Sequence, residues 1–257
     1  MLRKSYIYLL LLLFFICPGR YYSQTVVDSL INRLKEVNGE EKINTLNNLS
    51  QEYYNSDVDK SLYYANEALK FSAGKRFEKG KADAIHRIAM AYKKKNEPDL
   101  ALEYFLNSVE IRVEIKDTIG LARSYNNIGL IYYYMSKYEK AEEYQNLAFD
   151  KYREYGDVNG SAMAMNNIGN IYLQWGKFDD AINYYLKALK IFEKSDNKIG
   201  VASCLTNIGN VNDNLAASSD IGKIEIALDY YKQALEIELV INNTYGIANS
   251  YNNIGSE

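Results

Sequence analysis

The chain is expected to fold as an all-α, right-handed superhelical solenoid of stacked antiparallel helix pairs. Three observations carry that expectation. Small residues recur with one period: Ser50, Ala89, Gly129, Gly169, Gly209 and Gly255 stand 39, 40, 40, 40 and 46 residues apart. A second ladder at Gly80, Gly120, Gly160, Gly200 and Gly246 and a third at Ser61, Ala101, Ala141, Ala181 and Ala227 keep the same register, the mark of a repeat architecture. Within each period the apolar spacing is helical, and only two prolines against 25 tyrosines favour long unbroken helices with large half-polar side chains.

The first element is an address. Arg3 and Lys4 precede an apolar run from Tyr6 to Cys17, which Pro18-Gly19 break, so residues 1–23 read as a secretory signal peptide. Twelve helical residues reach roughly 18 Å, short of the roughly 30 Å hydrocarbon core of a bilayer. Cleavage is expected near Ser23 or Gln24, an uncleaved anchor being the alternative. Phe15-Ile16 lack the small residues that a lipidation site at Cys17 prefers. Removing residues 1–23 takes Arg3, Lys4 and Arg20 away and moves the net charge from -3 to -6. One cysteine, Cys204, then remains, so no internal disulfide can form.

Residues 24–42 follow, with Val27, Leu30, Ile31 and Leu34 on one face, as a capping helix for the start of the stack. The solenoid is expected over 43–257, with repeats 43–81, 82–121, 122–161, 162–201 and 202–247 and the opening of a sixth at 248–257. In the third repeat Tyr125, Ile128, Gly129 and Tyr132 define the packing face of a first helix near Leu121 to Met135, and Tyr138, Ala141, Tyr144, Leu147 and Ala148 that of a second. Neither helix buries its stripe alone, so pairs must stack. Small residues at Gly129 and Ala141 are expected to let backbones approach, and Gly120 and its equivalents to terminate helices. The fifth repeat carries six extra residues within "NLAASSDIGKIEI", read as a wider turn, and Asn212 where tyrosine is expected. The chain stops inside a first helix, so residue 257 is expected not to be the natural end, or something else is expected to cover that face.

The fourth repeat, "NNIGNIYLQWGKFDDAINYYLKAL", places Ile168, Gly169 and Tyr172 on its first helix, Gly176 at the turn and Phe178, Ala181, Tyr185 and Ala188 on its second. These spacings resemble the tetratricopeptide repeat, in a form of about forty residues per unit, over residues 43–257. The resemblance implies a groove that binds peptides or protein segments. The two-lysine carboxylate clamp found in some members has no counterpart, because Asn47, His86 and Asn126 stand where its first lysine would be.

The face opposite the packing stripe holds Arg123, Asn126, Asn127, Leu130, Tyr133 and Tyr134, at i, i+3, i+4, i+7, i+10 and i+11. Stacking sets such faces side by side along a concave groove, down which run Asn48, Arg87, Asn127, Asn167, Asn207 and Asn253, with Asn166, Asn170 and Asn210 beside them. An amide offers donor and acceptor, which suits the backbone of an extended peptide, and Tyr133 and Tyr134 add amphipathic area. The competing reading is structural: the asparagines knit adjacent repeats together. "YKKKNE", Tyr92 to Glu97, reads as a solvated basic patch.

A net charge of -3 argues against a nucleic-acid surface. His86 is the single histidine, far from Cys204, so no metal-ligand spacing exists. With no nucleophile motif and no phosphate-cradling glycine loop, neither an enzyme nor a cofactor is expected. The sequence points to an exported, periplasmic or extracellular scaffold with a protein or peptide partner. The alternative is the sensory region of a bacterial receptor whose histidine kinase, cyclase or DNA-binding output lies in missing sequence, membrane contact then coming only from a downstream segment or an uncleaved signal. Homo-oligomerisation stays open.

Overall fold

The computed structural model describes residues 18–74, 77–216 and 220–256. The apolar run of the expected signal peptide, through Cys17, lies outside them, and the expected cleavage position falls within the first helix. Among the described residues there are twelve α-helices and no strand. They are α1 (Pro18–Glu36), α2 (Gly39–Tyr53), α3 (Val58–Ser72), α4 (Glu78–Lys94), α5 (Pro98–Glu114), α6 (Thr118–Tyr134), α7 (Tyr138–Tyr155), α8 (Val158–Gln174), α9 (Phe178–Lys194), α10 (Lys198–Leu215), α11 (Ile221–Val240) and α12 (Thr244–Ser256). No described helix is long and apolar enough to cross a membrane. The chain forms two compact units, one through Ile115 and one from Lys116.

In the first unit, α1 packs on α2, and α2–α3 and α4–α5 are the helix pairs. Ile43, Leu46, Ala68 and Ala84, from three successive helices, share a core that Leu34 of α1 also touches. The second unit repeats that sandwich. Ala122, Ala148, Tyr152 and Ala164 join α6, α7 and α8, and Ala162, Ala188, Phe192 and Cys204 join α8, α9 and α10. Within the units, α3, α7, α9 and α11 are each thus gripped between the first helices of their own pair and the next, which is why no pair can hide its apolar stripe alone.

The first glycine ladder accommodates side chains rather than a bare backbone approach. A Cβ on Gly169 would lie 2.5 Å from the Tyr185 ring, and one on Gly209 equally close to Tyr231. At Gly129 the intruding partner is Gln145. Tyr185 and Tyr231 are in consequence enclosed.

The second glycine ladder corrects an expectation. Gly120, Gly160 and Gly200 sit three residues inside the starts of α6, α8 and α10, not past helix ends. Their N–H groups donate to the capping side chains of Asp117, Asp157 and Asn197, satisfying one of the orphan donors of a helix start. The glycine is required because a Cβ at 160 or 200 would meet Tyr152 or Phe192 of the preceding helix. Termination happens elsewhere. Asn96, Ser136, Gly156, Gly176, Asp196 and Asn242 adopt positive φ, and each is bracketed by the crossed 6→1 and 5→2 hydrogen bonds that close a helix.

The six-residue insertion of the fifth repeat does not go only into the turn. α10 and α11 have 18 and 20 residues where α8 and α9 have 17 each, so helix absorbs most of it. Asn212, in the expected tyrosine position, is buried and donates to the Ile208 carbonyl of its own helix.

Candidate functional site

In the second unit the first helices touch one another, α6 on α8 and α8 on α10, as α2 touches α4 in the first; among the described residues the second helices make no comparable contact. The first helices thus form one wall of each unit, its inner wall. The expected site residues lie on these helices.

In the second unit the asparagines form a ladder across helices. Asn167 Nδ2 donates to Asn126 Oδ1 at 2.9 Å, joining α8 to α6, and Asn207 Nδ2 donates to Asn166 Oδ1 at 3.1 Å, joining α10 to α8. Asn126 is 8% exposed, and its carbonyl oxygen accepts from Gln145. Asn170 and Asn210 accept from the buried hydroxyls of Tyr185 and Tyr231 at 2.8 and 2.9 Å. Burial raises the Tyr185 hydroxyl far above the ordinary tyrosine range, so it remains a donor. Asn127 Nδ2 bonds the Arg123 carbonyl within α6.

One hydrogen bond does not saturate an amide, which has two donors and two acceptor positions. Asn166, Asn167, Asn170, Asn207 and Asn210 are each half-buried, so none is wholly enclosed in the stack. The wall also presents Arg123 and the Tyr134 ring, 76% exposed, which meets Tyr133 edge-on at 5.2 Å.

The inner wall of the first unit is knitted differently. Asn47 is buried and its Nδ2 donates to the Gly80 carbonyl at 3.0 Å, while Arg87 reaches back from α4 to Gln51 on α2. Asn48 is exposed. His86 lies edge-on to the Phe105 ring at 5.0 Å, a packing role. The expected solvated basic patch is tied down in part: Lys94 donates to Asn55 and lies 4.6 Å over the Tyr54 ring, and Lys95 pairs with Asp59 at 2.8 Å. Burial holds the Lys93 ammonium below its ordinary range.

Sequence reasoning missed two features of the wall. One is the role of Tyr185, Tyr231 and Gln145 as second-helix partners of the asparagine row; the signal was their position sixteen or, after the insertion, twenty-two residues beyond the "NNIG" glycine. The other is a pocket of about 530 Å³ between α10 and α12, lined by Ser203, Asn207, Asn210, Asn249 and Asn253 with Glu238 of α11. The signal for Glu238 was an acidic residue eight places before Gly246, where the other repeats put Ser72, Arg112, Tyr152 and Phe192.

Helix pairs in tandem, with first helices lining a polar wall, define an α-helical repeat protein. The tetratricopeptide repeat profile matches residues 81–154, 121–194 and 160–237, more than half of the chain, and the chain belongs to that family. No curated protein matches in sequence. Among solved structures, BtubC from P. vanneervenii is similar at 18% identity and TM-score 0.69, over 86% of this chain and 90% of that one. A Rap protein complexed with competence and sporulation factor is similar at 18% identity and TM-score 0.66, over 93% of this chain and 71% of that one. A STAND (signal transduction ATPase) protein with a tetratricopeptide repeat sensor, from Pyrococcus horikoshii, is similar at 16% identity and TM-score 0.71; the match covers 93% of this chain and 40% of that one.

Proposed function

We propose that the protein is an exported protein–protein interaction scaffold whose inner wall holds an extended peptide or protein segment. The observation that carries this reading is the half-committed asparagine row: each amide of Asn166, Asn167, Asn170, Asn207 and Asn210 uses one group to tie the stack and keeps others for a guest backbone. The Rap structure supports it, since that similar fold is complexed with a factor. Export rests on the layout of residues 1–23.

The test separates binding from stability. Tyr134 is exposed, so Tyr134→Ala is expected to leave the melting temperature nearly unchanged while weakening the partner that the protein captures from the exported fraction. Binding unchanged in both Tyr134→Ala and Arg123→Ala removes the wall as the site.

A second reading has its own observation. The STAND protein is described as having a tetratricopeptide repeat sensor, and this chain spans only 40% of it. On that reading these repeats are the sensory region of a larger receptor, and a membrane span of about 20 residues followed by an output domain, read past Glu257 in the gene, is the expected finding.

A further inference from the structure

Glu238, near the end of α11, is 7% exposed, and its Oε2 is enclosed without accepting a hydrogen bond from any described residue. Its carboxylate is pressed onto Gly246, where a Cβ would come within 2.2 Å of Cδ, and it lines the 530 Å³ pocket. A buried carboxylate with no counter-charge is unfavourable unless something pairs with it.

The repeat register shows which charge is missing. The position of Glu238 is that of Arg112 in the second repeat, and the position of Ser203 on α10 is that of Asp83 on α4. There the two are matched: Arg112 Nη2 donates to Asp83 at 2.6 Å. In the fifth repeat the same two positions hold a carboxylate and a small hydroxyl, and both line the pocket. No group of three or more metal-ligating side chains exists among the described residues, and the volume is that of a site for an organic group.

We propose that this pocket takes the guanidinium or ammonium of an arginine or lysine in the bound segment, with Glu238 as its counter-charge and the amides of Asn207, Asn249 and Asn253 around it. The inference rests on the inner wall being the binding face and adds what that face selects: a segment with a basic residue at this point. Arginine suits the pocket better, because its planar fork donates to a carboxylate and to neighbouring amide oxygens together.

The experiment is a titration of isotope-labelled protein with the tripeptide Ac-Ala-Arg-Ala-NH2 and with its citrulline counterpart, which has the same shape and no charge. Backbone amide shifts of Ser203, Asn207, Asn249 and Asn253 are followed. The arginine peptide is expected to bind about tenfold more tightly than the citrulline peptide, as a charge-assisted hydrogen bond implies, and Glu238→Gln is expected to abolish the difference. Ser203→Lys supplies the cation from within the protein, so it is expected to raise the melting temperature and block the arginine peptide; it decides the matter if Glu238→Gln does not fold. Equal binding of both peptides at these amides overturns the cation pocket and leaves the inner-wall reading standing. If neither peptide shifts any wall amide, both fall. A preference for arginine that survives Glu238→Gln overturns the assignment of Glu238.

Discussion

Asn167 and Asn207 do the same work one repeat apart, each reaching from its own helix to the asparagine amide on the helix before. A hydrogen bond of this kind contributes about 1 kcal/mol net. Asn167→Ala is therefore expected to lower the unfolding free energy by about that amount in urea denaturation, with Asn207→Ala equivalent. A change within about 0.5 kcal/mol, the usual result at an unconstrained surface position, would mean that the ladder ties nothing. The row of asparagines was legible in the sequence as a row, because a 40-residue period puts equivalent positions on one wall. Which group of each amide faces the neighbouring helix was not, since that depends on how successive first helices pack on one another, which the spacing along a single helix does not fix. The structural reading of the asparagines holds, since Asn167 and Asn207 knit neighbouring helices together, and a guest on the same face is the proposal made above.

The helix starts show how one sequence device settles two needs. Asp157-Val158-Asn159-Gly160 caps α8 and clears room for Tyr152 in four residues, and Asn197-Lys198-Ile199-Gly200 does so for α10 and Phe192. Gly160→Ala forces its methyl into the Tyr152 ring, an overpacking that costs about 1–3 kcal/mol. Combined with Tyr152→Ala, the methyl has space, so the double variant is expected to be less destabilised than the sum of the two singles in a double-mutant cycle. Strict additivity would show that the glycine serves only the backbone. Helix existence and faces were legible from the spacing of Tyr125, Ile128 and Tyr132, which a 3.6-residue period dictates. Most of the actual terminators were not, because Asn96, Ser136, Asp196 and Asn242 take the left-handed conformation without being glycine. The glycines that caught the eye instead mark close packing.

Across the chain, stability is a sum of helix pairs and their neighbour contacts, and the period alone made that architecture readable. The division between Ile115 and Lys116 was not readable, for the ladder runs through Gly80, Gly120 and Gly160 with its 40-residue interval intact. The tyrosine-rich core gives the fold a shared weakness at high pH. Burial pushes the Tyr152 hydroxyl up to about 12 from its ordinary 10.0, and burial and the hydrogen bond to Glu142 raise Tyr172 further. A tyrosine whose pKa is higher folded than unfolded keeps its proton in the native state after the unfolded chain has lost it. The resulting stability is fully present below pH 10 and is lost as the pH rises towards 12. Tyrosinate absorbance is accordingly expected in two steps, the exposed rings near pH 10 with the helical circular dichroism intact, and the buried ones together with its collapse. Tyr152→Phe should move that second step to higher pH, because the next repeat already packs Phe192 in the equivalent position against Gly200. An unmoved midpoint would show that the Tyr152 hydroxyl is not among the groups whose ionisation unfolds the stack.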